Sequence, residues 1–434
     1  MLAAMSASPL TSRSPGDACA RSSGDACPGA LRLHRADDGA LARIRIPGGV
    51  LTPRQADALG KAAERFGDGE LHLTSRGNVQ LRGLTPDCGA ELAGLLDEAG
   101  LLPSERHERV RNVVASPLSG LDGLGSVDVG PWLTGLDRLL CESAGATALS
   151  GRFLFALDDG RGDVDALGAD LTLLGHDDGD ALLRVGHVDE VLRLPAAEGP
   201  RAALTAAEAF LDSARETGAW RVKDLPDADA AALPAEVLRR LRRTGTTVTT
   251  GRRPRPLEVL PPAHGPVVGG HRESALSVGV PLGRLVPAQW RLLLSGAGKL
   301  RLTPWRGIVV TGIGPGRTEG LSAGLAEAGL ITGPGSPWAG VGACIGRPGC
   351  AKSLADVRTE AGAAVGPAGR LPVYWSGCER RCGHPHGEWI DVVATPGGHR
   401  ISHVRGDLAT ATTTVRDDPA ALAAAVATAR GART

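Results

Sequence analysis

Two distant stretches of the chain alternate apolar and polar positions in the same way. Residues 71–84 read LHLTSRGNVQLRGL and residues 300–313 read LRLTPWRGIVVTGI, an offset of 229. The same offset relates the segment EAGL at 98–101 to EAGL at 327–330. Upstream of the two stretches the offset between the copies is 234, so the copies differ in length by five residues at one point. A match that persists in this way indicates an internal duplication.

Each copy predicts the same succession of elements, β-α-β-β-α. In the first and second copy these are a strand (41–46; 274–280), a helix starting near Thr52 or Val286, two strands around a turn (76–78; 305–307) and a helix (90–99; 319–328). This order favours a ferredoxin-like unit, present twice. The two units could pair about a pseudo-twofold axis, and the alternative is that they are independent modules.

A longer mixed stretch follows each copy, so we predict an α+β chain of duplicated, paired ferredoxin-like half domains with two α/β lobes. The predicted divisions are a flexible N-terminus (1–28), two half domains (29–104 and 271–334), two lobes (105–251 and 335–434) and a Pro-rich linker (252–270). Within the first lobe we predict an amphipathic helix over 204–218, with Thr205 and Glu208 as its capping box.

Composition narrows the class of function. Hydrophobic residues make up 42% and aromatic residues only 3%, so the cores must be built from Leu, Val and Ala. The 48 Lys and Arg balance 48 Asp and Glu, which argues against a general affinity for nucleic acid or anionic membranes. We find no apolar run of membrane-spanning length and no secretory signal, so a cytoplasmic monomer without disulfides is expected.

Four cysteines carry the clearest chemistry. The candidate ligands lie in the segments C-I-G-R-P-G-C and C-E-R-R-C and are Cys344, Cys350, Cys378 and Cys382. Thiolates at these spacings favour a metal centre, most readily a four-iron cluster. Structural zinc is the alternative, although its sites favour closer C-x2-C pairs. A helix predicted over 351–365 would place Cys350 near its N-terminus, where the helix dipole favours a thiolate.

The other cysteines are dispersed along the chain. Cys88 and Cys141 are expected to be small buried hydrophobes. Cys19 and Cys27 lie in a repeated G-D-A-C within a segment rich in Ser, Gly and Pro. No role is predicted for that pair.

Together these features resemble the sirohaem-type sulfite and nitrite reductase superfamily. The resemblance rests on the C-x5-C and C-x3-C pairs, on the duplication, and on the segments ACPG (26–29), TSRGNVQLRG (74–83), RNVVASPLSG (111–120) and SGCERRCGHP (376–385). Within the superfamily the chain is most similar to the precorrin-3B synthases, and the similarity extends over nearly the whole chain.

This resemblance implies an oxygen-dependent monooxygenase of aerobic cobalamin biosynthesis. Such enzymes convert precorrin-3A to precorrin-3B with O2, hydroxylating a meso carbon and closing a lactone, and we expect NADH-derived electrons to arrive through a partner reductase. The resemblance further implies a 4Fe-4S cluster on the four cysteines. It also implies a mononuclear non-haem iron, for which His384 and His386 are the candidates, and it puts the first lobe on the substrate side.

The substrate of such an enzyme carries many carboxylates, which arginine binds through a planar, permanently charged fork. The motifs therefore point to six substrate-binding candidates, Arg76, Arg82, Arg111, Arg152, Gln80 and Asn112. Each arginine taken alone is more often a solvated surface charge. The second copy has Trp305 and Thr311 in place of Arg76 and Arg82, which predicts a single working site.

One segment of the chain differs from the sulfite reductase pattern, and this difference separates the functions known within the superfamily. Sulfite reductases resemble one another in an L-P-x-K-F-K segment whose lysines help to bind and protonate the oxyanion, whereas this chain has Arg152 and Leu154 at those positions. An apolar side chain supplies no proton, so the monooxygenase is favoured. The alternatives are a sirohaem-dependent sulfite or nitrite reductase and a non-enzymatic carrier of tetrapyrroles or iron–sulfur clusters.

Overall fold

The structure, a computed structural model, describes residues 8–9, 25, 27–253, 261–269, 274–385, 387–406, 408–416 and 418–431. Most of the predicted flexible N-terminus, including Cys19, and the middle of the predicted linker therefore lie outside the described residues. Within the described part, no helix has both the length and the apolar character that crossing a bilayer requires.

Along the chain the elements group into a half domain, a lobe, a second half domain and a second lobe. A short strand β1 (Ser8–Pro9) precedes the first half domain, which contains β2 (His34–Ala36), β3 (Gly39–Ile44), β4 (Val50–Leu51), α1 (Pro53–Phe66), β5 (Leu71–Leu73), β6 (Val79–Leu84) and α2 (Gly89–Glu98). The first lobe contains β7 (Val113–Ala115), α3 (Gly130–Glu142), β8 (Phe155–Asp158), β9 (Leu171–Gly175), β10 (Asp180–Val185), β11 (Glu190–Pro195), α4 (Gly199–Thr217), α5 (Asp227–Arg243) and β12 (Thr249–Arg252).

The second half of the chain repeats this plan. Its half domain contains β13 (Gly265–Pro266), β14 (Ser274–Gly279), β15 (Arg284–Leu285), α6 (Pro287–Ser295), β16 (Lys299–Leu302), β17 (Gly307–Ile313) and α7 (Thr318–Glu327). Its lobe contains β18 (Val341–Ala343), α8 (Val357–Ala363), β19 (Val373–Ser376), β20 (Glu388–Thr395), β21 (Gly398–Arg405), β22 (Leu408–Val415) and α9 (Pro419–Arg430).

The two half domains complete each other's sheets. Strand β4 of the first copy pairs antiparallel with β16 of the second, and β15 of the second pairs antiparallel with β5 of the first. One apolar core runs through both copies, and the Trp290 indole of α6 donates to the Ala56 carbonyl of α1 (2.9 Å). The predicted pairing is therefore confirmed, and two independent modules are excluded, because neither sheet is complete without the other copy.

The two lobes share one strand arrangement, as expected if the whole unit was duplicated. In each lobe the sheet begins with three parallel strands, β7-β8-β9 or β18-β19-β20, and continues as an antiparallel meander. Each parallel strand pair brings loops at its carboxyl ends to one edge of the sheet, which is where α/β sheets usually place their ligands. In the second lobe that edge carries the cysteine loops.

The helix predicted over 204–218 ends where expected, at Gly218 in the left-handed conformation, but it begins earlier. It starts at Gly199, with Pro200 in its first turn, and the predicted capping box is absent. Glu208 instead accepts a hydrogen bond from the Ser143 hydroxyl (3.1 Å). The prediction of the helix start was wrong because proline at the first turn is a competing start signal.

Candidate active site

A positively charged face covers one side of the first half domain's sheet. Along β3 and β6 the residues alternate, so that Ala42, Ile44, Val79 and Leu81 enter the core while the intervening polar residues point away from it. We call the set Arg43, Arg45, Arg76, Gln80 and Arg82 the arginine face. Gln80 lies opposite Arg43 in the sheet register, and its amide oxygen is placed to accept from the Arg43 guanidinium (3.1 Å).

Most of the positive charge of this face has no carboxylate partner in the described protein; the exception is Arg82, which pairs with Asp38. Among the described residues, Arg43, Arg45 and Arg76 have no carboxylate partner. Burial lowers the pKa of Arg43 to about 10, helped by neighbouring Arg45, and burial next to Arg221 and Arg45 lowers the pKa of Arg76 to about 10. Cations that are crowded together and partly removed from water form a site that favours an anionic ligand.

The first lobe closes one end of the arginine face. Arg45 is only 2% exposed and donates to the Gly151 carbonyl (3.1 Å), the Cys27 sulfur (3.1 Å) and the Arg109 carbonyl (3.3 Å). Arg76 donates to the Arg152 carbonyl (3.2 Å), and the Arg152 guanidinium itself stacks on the Trp220 ring at 4.2 Å. The loop around residue 151 therefore fixes the direction in which these arginines point.

The other end of the arginine face reaches the cysteine loops. Arg82 forms a two-pronged ion pair with Asp38 (2.7 and 2.8 Å) and also donates to the Gly349 carbonyl (2.8 Å), next to Cys350. A Cβ atom at Gly349 would lie 2.7 Å from the Asp38 carboxylate and 3.0 Å from Arg82. Only glycine permits this contact, which joins the face to the second lobe.

The same face of the second copy is closed. At the positions of Arg43, Gln80 and Arg82 it has Ser277, Val309 and Thr311. Val309 packs with Leu121 from a loop of the first lobe, and this cluster covers the sheet. This face has no arginine at these three positions and is covered by a loop, so it offers an anion neither charge nor access there.

The four cysteines lie on two loops at the edge of the second lobe's sheet. Cys344 follows β18 directly, and its backbone N–H donates to the Trp375 carbonyl of β19 (2.9 Å). Cys378 lies two residues after β19, and the Gly377 N–H donates to the Cys344 sulfur (3.2 Å). Parallel pairing of β18 and β19 therefore brings the C-x5-C and C-x3-C pairs to one place, although the first and third cysteines are 34 positions apart.

The helix predicted after Cys350 begins later than expected. It starts at Val357, with the Asp356 carboxylate accepting from Thr359 N–H at its N-terminus (3.2 Å). The residues between Cys350 and Val357 are held by the other cysteine loop, since the Leu354 N–H donates to the Gly377 carbonyl (2.8 Å). The prediction that Cys350 lies at a helix N-terminus was therefore wrong.

Burial and the neighbouring thiols disfavour ionisation of two of the four cysteines. Burial raises the pKa of Cys344, and Cys378 and Cys350 raise it further; burial likewise raises the pKa of Cys382. Four thiolates cannot coexist at this spacing without a compensating cation.

The spacing itself discriminates between metals. Four thiolates on zinc would lie about 3.8 Å apart, given Zn–S bonds of about 2.3 Å. No three of the four thiols, all of which are described, lie within 4.8 Å of one another. A four-iron cluster spreads its thiolates more widely because each binds a different iron, so the donor set fits the cluster better.

Three arginines reinforce the loops around the thiols. Besides Arg82, Arg306 donates to the Gly383 carbonyl (2.9 Å), and Arg358 donates to the Cys344 carbonyl (3.2 Å). Burial beside Arg306 lowers the pKa of Arg358 to about 10. These cations offset the negative charge that a thiolate-bound cluster would bring.

Besides Arg82, two more of the predicted substrate ligands are already engaged within the protein. Arg111 is 5% exposed, forms a two-pronged ion pair with Asp137 (2.7 and 2.8 Å) and donates to the Leu101 carbonyl (3.2 Å). Asn112 is fully buried and bridges Asn78 and the Phe153 carbonyl. Their geometry favours a structural role in positioning the loop that leads to β7.

The histidines predicted for a second iron are only partly described. His384 is exposed, stacks on Trp389 with ring centroids 5.4 Å apart, and lies 2.8 Å from the Pro385 carbonyl through Nδ1. His386 lies outside the described residues. Cys88 is buried and Cys141 half-buried, as small hydrophobes would be.

Arg43, Arg45 and Arg358 were missed by the sequence analysis. The first two carried a signal, because the run A-L-A-R-I-R-I alternates arginine with apolar residues at the spacing of one strand face. Arg358 carried none, since its position beside Cys344 depends on the late start of α8.

The paired half domains match a known family. Residues 33–99 and 269–328 match the family described as nitrite/sulfite reductase ferredoxin-like half domain. The chain is 35% identical over 127 residues to a ferredoxin–nitrite reductase of Synechococcus elongatus, covering 28% of this chain and 25% of that protein. It is 34% identical over 137 residues to a precorrin-3B synthase of Sinorhizobium sp, covering 31% and 29%.

The fold likeness extends further than the sequence likeness. The structure of the Mycobacterium tuberculosis NirA protein superposes with a TM-score of 0.70 at 19% identity, covering 89% of this chain and 79% of that chain. The sequence matches, in contrast, span only between a quarter and about three tenths of the two relatives' lengths.

Proposed function

Since the chain carries two ferredoxin-like half domains of the nitrite/sulfite reductase family, we propose that it is an oxidoreductase that binds a carboxylate-rich tetrapyrrole between the arginine face and a 4Fe-4S cluster on Cys344, Cys350, Cys378 and Cys382. The observation that carries this proposal is the uncompensated charge of Arg43, Arg45 and Arg76. Acetate and propionate side chains of a tetrapyrrole are the ligands that would neutralise it.

The specific reaction we propose is the conversion of precorrin-3A to precorrin-3B. In this reaction precorrin-3A, O2, NADH and a proton give precorrin-3B, NAD⁺ and water, with one oxygen atom entering the macrocycle. Arg43, Arg45 and Arg76 would bind peripheral carboxylates and fix the orientation of the ring. When bound, the cluster would supply electrons one at a time.

Leu154 supports this reaction over oxyanion reduction. Its side chain is 3% exposed and packs in an apolar cluster with Val114 and Ala156, against which Trp305 lies. Leu154 therefore forms part of an apolar surface that excludes water, and it donates no proton. Arg152, which stands where the sulfite reductases have the first lysine of this segment, has its guanidinium stacked on the Trp220 ring.

A separate protein is proposed as the electron donor. Cys382 is exposed, and the exposed cations Arg380 and Lys352 lie in the two cysteine loops. Charges of this sign would attract an acidic electron carrier and shorten the transfer distance.

The decisive experiment combines anaerobically purified protein, precorrin-3A, NADH and a donor reductase, and then admits ¹⁸O2. The proposal predicts a product that is heavier by one labelled oxygen atom. An Arg43→Gln variant should retain its iron and sulfide but turn over much less substrate at low substrate concentration. Recovery of unlabelled precorrin-3A by a protein with a full cluster would refute the reaction and favour a carrier.

The second candidate is a sirohaem-dependent nitrite or sulfite reductase, which the likeness to ferredoxin–nitrite reductases favours. It predicts a chlorin bound in the purified protein, with strong red absorbance, and reduction of nitrite or sulfite. An absorption spectrum of the purified protein therefore separates the two candidates before any assay.

A further inference from the structure

One buried hydroxyl beside the cysteine loops has no partner. Ser376, the last residue of β19, is fully buried, and its Oγ makes no hydrogen bond to any described residue. The nearby buried Ser353, by comparison, donates to the Ala355 carbonyl (2.8 Å). A buried hydroxyl without a partner costs free energy, so such a group calls for a ligand.

The strand register shows where this hydroxyl points. Val373 and Trp375 pack into the core on one face of β19, so Tyr374 and Ser376 project from the other. The Tyr374 hydroxyl on that face donates to the Cys382 carbonyl (2.7 Å). Ser376 therefore projects from the face that carries the cysteine loops.

The neighbouring strand narrows the position further. In the parallel pair of β18 and β19, Ala343 lies opposite Trp375, so the next residue, Cys344, lies beside Ser376. The Gly377 N–H, one residue further along, already donates to the Cys344 sulfur (3.2 Å). Ser376 thus lies between two of the proposed ligands, beside Cys344 across the sheet and two residues before Cys378.

We propose that the Ser376 hydroxyl donates a hydrogen bond to a sulfur of the cluster on the side held by Cys344 and Cys378, and that this bond raises the cluster's reduction potential. The inference rests on the proposed function, because it presupposes the cluster. A hydrogen bond to sulfur stabilises negative charge, and the reduced cluster carries one more electron than the oxidised one. Ser376 is in this sense a positioning residue that acts through the cluster.

The test is a redox titration of the full-length protein followed by electron paramagnetic resonance, with iron and sulfide measured first. Ser376→Ala should shift the midpoint to lower potential, so that at the wild-type midpoint the ratio of reduced to oxidised cluster falls roughly fivefold, as expected for one neutral hydrogen bond. Ser376→Thr keeps the hydroxyl, and its β-branched side chain suits a strand, so it should restore the wild-type midpoint.

A matched control is Ser402→Ala. Ser402 is also a buried serine of this sheet, but it lies on β21, two strands or about 10 Å from β19. Its loss should leave the midpoint unchanged. If Ser376→Ala alone fails to hold iron, while the threonine and control variants hold it, the hydroxyl's contact with the cluster is supported.

Two outcomes overturn the inference, and they are distinguishable. A Ser376→Ala variant with full iron and sulfide and an unchanged midpoint would refute the role of Ser376 while leaving the cluster in place. A wild-type protein without iron and sulfide after anaerobic purification would refute the proposed function itself, and the inference with it.

Discussion

Replacing Arg76 by glutamine tests most directly whether the arginine face binds an anionic ligand. Arg76 lies at the turn before β6, half-buried, with its pKa lowered to about 10 by burial and by Arg221 and Arg45. Its protein partner is the Arg152 carbonyl, and it has no carboxylate partner among the described residues. A buried cation in this position destabilises the protein without ligand and stabilises the complex with an anion.

The magnitude follows from these contacts. A charge-assisted hydrogen bond to a ligand carboxylate is worth about 1.5–3 kcal/mol, so Arg76→Gln should weaken binding about tenfold to hundredfold. The free energy of unfolding without ligand should stay the same or rise slightly, because the substitution removes repulsion between cations. The assay is a titration with uroporphyrin, a carboxylate-rich tetrapyrrole, followed by urea unfolding of the same preparations.

Arg111→Gln is the matched control, because it changes an arginine of the same motif set that is already paired. Removing its charge leaves Asp137 partly buried without its partner, which should cost about 2–3 kcal/mol of stability. Uroporphyrin affinity should be unchanged. The opposite pattern, in which Arg76→Gln unfolds easily and binds normally while Arg111→Gln binds poorly, would refute the argument from unpaired charge.

Three further predictions concern the cluster, the pH dependence of stability and the interface of the half domains. Cys378→Ser should lose the bound iron and sulfide, whereas Cys88→Ser should keep them; iron retained in the first variant would show that the ligand set is wrong. Burial raises the pKa of Asp163 from 3.8 to about 7. Between these pH values the folded protein binds a proton that the unfolded chain has released. The free energy of unfolding should therefore fall as the pH rises from about 4 to about 7, by up to about 1.4 kcal/mol per pH unit. Urea unfolding of Asp163→Asn should lack this component of the slope, and a slope equal to that of the wild type would contradict it. Trp290→Ala should lower the free energy of unfolding by about 3–5 kcal/mol, and both half domains should unfold in a single transition because they share one core. Unfolding curves followed by fluorescence and by circular dichroism should therefore coincide. Two separate curves would show that the core is not shared.

Local patterns predicted the duplicated framework well. The alternation along β5 and β6, repeated in β16 and β17, identified both half domains. Strand faces and turns can be predicted in this way because a few neighbouring residues determine them. The capping box of α1 is also local, since Thr52 and Gln55 exchange hydrogen bonds three residues apart.

Distant contacts decide two features that local patterns do not show. The segment after Cys350 has helical composition, yet it stays a loop until Val357 because Leu354 bonds to Gly377 and Ser353 accepts from Arg347. Arg111 has the appearance of a ligand in its motif, but an aspartate 26 residues away takes its charge. Residue type alone does not tell a paired arginine from a free one, because the partner is fixed only by the packing of α3 against the loop before β7.

Pairing of β4 with β16 has a consequence for how the chain is made. Leu51 finds its partner Leu300 only after roughly 250 further residues have been synthesised. At about 5–20 residues per second, the first half domain must wait between about 10 and 50 s for the strand that completes the combined core. During that interval the edge of β5 also lacks β15, so the nascent chain exposes an open strand edge that a chaperone or the folded first lobe must protect.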